Sequence, residues 1–217
     1  FPNLIEKYQI PKNSSPQVPR AMNQTEYDTL MDLVDKVTQV LTAHNITYVL
    51  TYGSLIGSYL MHDMLPWDDD VDIFIHNNTK AKVMQIFKDG KHHGISGYHH
   101  YKHSGYLFKV FFNTSKNAGR YPWKWPFVDL VSYTHVGKNI KAVEKNANLQ
   151  VPQNSFYPFH LRPFGPLWLN APRIPNVFLT AKYNQFRCKS GGWNHKRETG
   201  KNSKEGKCED IKVDYPF

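Results

Sequence analysis

Four carboxylates fall within five positions at Asp68-Asp69-Asp70-Val71-Asp72, and an apolar run, Ile73-Phe74-Ile75, follows at once. Like charges this close repel one another, so the cluster is costly unless something positive sits among them. From Asp70 onward the pattern alternates with the period of a β-strand, which sets Asp70 and Asp72 side by side on one face and Val71 and Ile73 on the other. Hard oxygen donors at that spacing suit Mg²⁺ or Mn²⁺. A solvated acidic turn ahead of a strand is the competing reading; Trp67 and the buried-type strand weigh towards a metal.

The remaining elements are read around that strand. Asn23 or Thr25 can cap a helix whose apolar stripe is Leu30, Leu33, Val34, Val37, Val40 and Leu41. Thr47–Thr51 is a short strand running into Tyr52–Leu60, a turn that opens a helix. There Gly53 permits close backbone approach and Ser54 adds a hydroxyl at a helix N-terminus, both suited to a phosphate. Residues 79–89 form a helix on Val83, Ile86 and Phe87. His92, His93, His99, His100 and His103 match no zinc spacing and read as surface residues of a hairpin whose second arm is Tyr106–Phe112. Arg120–Pro126 leads into Phe127-Val128-Asp129-Leu130-Val131, a strand with one carboxylate among apolar neighbours. Such a group needs a partner, either a structural ion pair or the site of Asp70 and Asp72. Residues 137–156 read as a polar connection, Phe159–Leu169 as a hairpin turned at Gly165-Pro166, and 176–186 as a helix. The basic tail around Trp193–Arg197 reads as mobile.

A chain of 217 residues divides into an N-terminal arm or linker (1–22), one body (23–187) and a Cys-bounded basic tail of the same domain (188–217). The net charge of +9 favours anionic partners without choosing among them. No stretch is long and apolar enough to span a membrane, and the start at Phe1-Pro2-Asn3 reads as an excised or processed product whose anchor, if any, lies elsewhere. Asn-x-Ser/Thr sequons stand at Asn13, Asn23, Asn45, Asn77 and Asn113, where chance gives roughly two. Cys188 and Cys208 bracket a polar loop that a disulfide would close, for about 3 kcal/mol; two free thiols are the alternative. Together these point to a secretory-pathway lumen, Golgi or ER.

In order, the elements are helix, strand, Gly-Ser turn with helix, Asp-x-Asp strand, and a later strand with a third Asp. This α+β arrangement is similar to the nucleotidyltransferase fold of the DNA polymerase β type, a mixed β-sheet flanked by helices. More specifically, Pro66-Trp67-Asp68-Asp69-Asp70-Val71-Asp72-Ile73 resembles the signature of the LicD family, which takes in fukutin and fukutin-related protein. Thr51–Gly57, Phe127–Leu130 and Pro163-Phe164-Gly165 with Ala171-Pro172 agree in order and spacing, so the resemblance covers roughly residues 30–186. It implies a metal-dependent transfer of a phosphoalcohol unit (phosphocholine, or ribitol or glycerol phosphate) from a CDP-activated donor to a sugar hydroxyl of a glycan or glycoprotein. On that resemblance Asp70 and Asp72 hold Mg²⁺ or Mn²⁺, and Asp129 is a third ligand or the general base. Asp68 is a further candidate ligand, with Asp69 as the other claimant. Gly53 and Ser54 hold donor phosphate, and Arg120, Lys124 and Arg162 are candidates for neutralising leaving-group charge.

Two other functions fit the same residues. One is a catalytically inactive scaffold that binds a nucleotide or glycan. The other is a nucleic-acid enzyme of the same fold, which the sequons, the cysteine pair and the lack of a concentrated Lys/Arg stripe count against. No nucleic-acid partner is expected, and membrane association only through a segment outside this chain.

Overall fold

Helix α1 (Gln24–Ala43) starts at a capping box: Asn23 Oδ1 accepts from the Glu26 N–H at 2.9 Å while Glu26 Oε2 accepts from the Asn23 N–H at 3.0 Å. Such a cap stabilises by about 1 kcal/mol. The apolar stripe from Leu30 to Leu41 is buried. In the computed structural model, residues 20–88, 94–100, 107–143, 149–183, 188–189, 192–202 and 205–206 are described. The arm up to residue 19 with Asn13, the histidines 92, 93 and 103, and Cys208 lie outside the described residues.

Strand β1 (Tyr48–Leu50), helix α2 (Tyr52–Met61) and strand β2 (Val71–His76) follow, with β1 antiparallel to β2. After a 3₁₀ turn at Asn77–Thr79 come α3 (Lys80–Phe87), the hairpin β3 (Ile95–His99) and β4 (Leu107–Asn117), and the long β5 (Lys124–Val136). β5 runs antiparallel to β4 but parallel to β2, so the sheet order is β1-β2-β5-β4-β3 and the sheet is mixed. Residues 137–156 hold more than the expected polar connection: β6 (Asn139–Ala142) pairs with the end of β5, β7 (Gln150–Pro152) pairs with β6, and a single turn α4 (Gln153–Phe156) follows. Their buried residues (Ile140, Ala142, Val151) come singly between polar ones, too few per element to announce a strand.

The hairpin β8 (His160–Phe164) and β9 (Leu167–Ala171) turns at Gly165-Pro166, with Gly165 at φ +57. Helix α5 (Pro175–Tyr183) then returns to the core. The tail forms short antiparallel pairs, β10 (Cys188–Lys189) with β13 (Glu205–Gly206), and β11 (Trp193–Asn194) with β12 (Thr199–Gly200). No helix among the described residues is long and apolar enough to cross a membrane.

β2 is anchored by its apolar residues. The Phe74 ring lies 5.4, 5.9 and 5.9 Å from the rings of Tyr52, Tyr133 and Phe178, edge-on or tilted, contacts worth about 0.5–1.5 kcal/mol each beyond area burial. Asp72 lies one pleat nearer the start of the strand on the face that Phe74 shares, and its main chain meets the start of α2.

Candidate active site

The parallel pairing of β2 with β5 sets Asp72 directly opposite Asp129. With Asp70 just ahead of β2, one carboxylate oxygen from each of Asp70, Asp72 and Asp129 lies within 4.8 Å of the other two. The strand that the alternation predicted and the lone carboxylate of the later strand thus meet across one ladder. Burial comes first, and then the charges of Asp70 and Asp129, in holding Asp72 well above the usual carboxylate range. Asp68 is pushed up to about 8 by burial and by Asp70 and Asp69. Repulsion of this kind is what a divalent cation relieves, and an all-oxygen donor set fits a hard ion such as Mg²⁺ or Mn²⁺.

Helix α2 supplies the back of the site. Ser54 is buried, and its Oγ accepts from the Asp72 N–H at 2.8 Å, so this hydroxyl fixes the acidic strand and retains one hydrogen to donate. Gly53 is a close approach: a Cβ there would sit 2.6 Å from Asp68 Oδ2. Asp68 therefore rests against the first turn of the helix.

The cations at the carboxylates differ from the three that the sequence singled out. Arg120 is exposed in the turn after β4, Lys124 donates to the Asn113 carbonyl at 2.6 Å, and Arg162 stacks over Tyr59 at 5.2 Å, roughly 10 Å along α2 from its start. In their place stands Lys109 on β4, in register with Asp129 and 4% exposed. Its Nζ donates to both Asp129 oxygens at 3.0 Å and lies 3.6 Å from the centre of the Phe127 ring. Burial raises the Asp129 carboxyl and Lys109 counters it. The signal was present: Lys109 is one charge in an apolar run, as Asp129 is in its own.

The second cation comes from the tail. Asp69, 3% exposed, accepts at Oδ2 from the backbone N–H groups of His195 (2.9 Å) and Lys196 (3.3 Å), and its carbonyl accepts from Trp125 Nε1 at 2.7 Å. The β11–β12 hairpin is thereby strapped over the acidic strand. Lys196 bonds Glu26, Lys201 Nζ donates to the Trp67 carbonyl at 3.1 Å, and the Gly119 N–H donates to the Lys196 carbonyl at 3.1 Å. His195 Nε2 reaches 3.4 Å from Asp70 Oδ2 and its Nδ1 3.8 Å from Glu198 Oε1. Burial opposes the imidazolium, but Asp70, Glu198 and Asp69 outweigh it and hold His195 up to about 10. Glu198 accepts from the indoles of Trp123 and Trp193, each at 2.8 Å. Its burial is likewise outweighed, by His195, Trp193, Lys109 and Trp123, and its carboxyl falls to about 2. The segment expected to be mobile is a fixed wall of the site, and nothing in its local pattern announced that.

The sequons at Asn23, Asn45 and Asn113 are exposed and Asn77 is half-buried.

The model of the family described as LicD/FKTN/FKRP, nucleotidyltransferase domain, matches residues 45–174, a stretch that contains Gly53, Ser54, the Asp68–Asp72 cluster, Lys109 and Asp129. The chain is similar to the lipopolysaccharide cholinephosphotransferase LicD of Haemophilus influenzae, 26% identical over 62 residues that cover 29% of this chain; the match spans only 23% of that relative's length. Looser likenesses among solved structures, each at 12% identity, include ANT(2")-Ia in complex with adenylyl-2"-tobramycin (TM-score 0.43, 65% of this chain, 67% of that one). They also include the lincomycin-bound lincosamide antibiotic adenylyltransferase LnuA (0.43, 65% and 78%) and the solution structure of the antibiotic-resistance factor ANT(2'')-Ia (0.47, 85% and 82%). With the family model covering more than half of the chain and every carboxylate of the cluster inside it, the His195–Glu198 strap lying beyond the matched residues, this protein belongs to the LicD/FKTN/FKRP nucleotidyltransferase-domain family.

Proposed function

We propose that this chain is a metal-dependent phosphotransferase that moves a phosphoalcohol unit from a CDP-activated donor to a sugar hydroxyl of a glycan or glycoprotein. The observation that carries the reading is the Asp70–Asp72–Asp129 triad, three carboxylate oxygens mutually within 4.8 Å, from just ahead of β2, from β2 and from the adjacent β5, inside the stretch that matches the LicD/FKTN/FKRP nucleotidyltransferase domain. Asp70, Asp72 and Asp129 would hold Mg²⁺ or Mn²⁺, with Asp68 beside them; when bound, the ion neutralises pyrophosphate charge and polarises the attacked phosphorus.

The protein's own groups do the positioning. Ser54 fixes the Asp72 backbone, and Lys109 on both oxygens of Asp129 favours its ligand role over that of base, because a carboxylate chelated by an ammonium is a weaker proton acceptor. Gly53 and the remaining hydrogen of Ser54 lie at the start of α2, where donor phosphate is favoured. In the transfer, the sugar oxygen bonds the alcohol-bearing phosphorus, the bond from that phosphorus to CMP breaks, and a carboxylate takes the hydroxyl proton. The one-body division with the tail as part of the domain, N-glycosylation at the exposed sequons, a Cys188–Cys208 disulfide and a Golgi or ER lumen belong to the same proposal; peptide mapping without reduction tests the disulfide.

The test is a thermal-shift panel of CDP-choline, CDP-ribitol and CDP-glycerol, with and without Mn²⁺, followed by turnover with the donor that binds. A Mn²⁺-dependent rise in melting temperature with one CDP-alcohol, and CMP release, supports the reading. No shift with any of them refutes it. A second reading, an inactive nucleotide- or glycan-binding scaffold, draws on the internal neutralisation of Asp129 by Lys109; binding without CMP release across acceptors would favour it.

A further inference from the structure

The strap that closes the acidic site presents an imidazole to it, and we infer that His195 is a ligand of the divalent ion, with Glu198 as the carboxylate that orients its ring. This rests on the ion site proposed above. Besides the triad, one ligand atom each from Asp69, Asp70 and His195 lies within 4.8 Å of the others, so Asp70 is common to both groups.

Three observations separate His195 from a plain counter-ion. The strap is held to Asp69 through the main-chain N–H groups of His195 and Lys196, so the imidazole is not what docks it. The ring nitrogens lie 3.4 and 3.8 Å from their carboxylates, and the buried Nδ1 makes no hydrogen bond. Lys109 shows what a completed ion pair looks like in this site: both oxygens at 3.0 Å. His195 stands within ion-pair reach of both carboxylates, but at longer range than Lys109 from Asp129. Behind it, Glu198 is immobilised by two indole donors, and the Phe127 ring stands edge-on at 5.4 Å, so the imidazole plane is fixed. A histidine with one nitrogen towards a carboxylate-lined ion site and the other towards a second carboxylate is the arrangement that sets ring tautomer and ligand basicity at metal centres. An imidazole in the donor set also favours Mn²⁺ or a softer ion over Mg²⁺.

The experiment uses Mn²⁺ alone on the full chain. Electron spin-echo modulation of bound Mn²⁺ in the wild type is expected to carry a ¹⁴N coupling that changes on ¹⁵N-histidine labelling and is absent from His195→Gln. Calorimetry is expected to show Mn²⁺ binding weakened roughly 10-fold or more in His195→Gln and roughly 10–100-fold in Glu198→Gln. Bound Mn²⁺ with no nitrogen coupling in the wild type, or His195→Gln binding Mn²⁺ as tightly or more tightly, overturns the assignment, because an imidazolium that only neutralises Asp70 competes with the ion. If Asp70→Asn abolishes binding in that case, the carboxylate site stands without His195. If the wild type binds no Mn²⁺, both proposals fall; the coupling is read on the wild type and does not depend on a variant folding.

Discussion

Replacing Lys109 by Met isolates the role of the buried ion pair. Lys109 and Asp129 side chains are 5% and 7% exposed, so the variant leaves a carboxylate with no counter-charge in a site it already shares with Asp70 and Asp72. Breaking a buried pair from one side costs about 3–5 kcal/mol. Asp129→Asn costs less, about 1–2 kcal/mol: the amide oxygen still accepts from Nζ, the ammonium keeps the Phe127 ring at 3.6 Å, and one repelling charge is gone. The double variant removes both charges and is expected to cost no more than about 2 kcal/mol, which leaves a coupling of about 3 kcal/mol in the cycle. Urea denaturation followed by tryptophan fluorescence, in EDTA at pH 7, measures all four proteins. The coupling should survive added salt, since ions do not screen a pair this buried. Single-variant effects that add to within about 0.5 kcal/mol would refute the claim that the two residues form one electrostatic unit.

Other outcomes follow from the same geometry. Asp70→Asn and Asp72→Asn are each expected to lower CMP release by about 10³-fold or more while the metal-free protein melts no lower than wild type, because repulsion in the cluster is relieved; wild-type turnover in either variant would sink the ion assignment. Glu198 is depressed to about 2 from an ordinary 4.5, so its contribution to stability is complete above pH 4.5 and is lost as pH falls through about 2. Melts of wild type and Glu198→Gln at pH 5 and pH 2.5 should therefore converge by about 2–3 kcal/mol at the lower pH, and a constant gap would contradict the ionised clamp. Gly53→Ala meets only the end of the Asp68 side chain, so stability should stay within about 1 kcal/mol while Asp68 is displaced and CMP release falls. Gly57→Ala places its Cβ 2.4 Å from the Asp63 carbonyl, main chain that cannot step aside, and should lose about 1–3 kcal/mol in the same urea assay.

What the sequence determined by itself was the local part of this protein. The spacing of Leu30 to Leu41 and the Asn23–Glu26 box make α1 wherever the chain goes, because a helix is closed by neighbours three and four residues apart. The alternation from Asp70 to Ile75 likewise fixed which face of β2 carries carboxylates, and Gly165-Pro166 fixed a turn. Even the resemblance carried by Pro66–Ile73 reached the family, since that segment sets four carboxylates in nearly consecutive residues.

Only the tertiary structure decided which distant residues face the cluster. Asp129 joins it because β5 lies parallel to β2 with Asp72 opposite Asp129; a shift of one residue would turn its carboxylate to the other side of the sheet. Lys109 is one charge in an apolar run, but its partner is settled only when β4 is paired beside β5 and its ammonium finds both oxygens of Asp129. His195 and Glu198 lie in polar tail sequence with no periodicity, and their place depends on Asp69 gripping two backbone N–H groups more than a hundred residues away. Charge pairing of that kind depends on distance in space, which no spacing along the chain encodes.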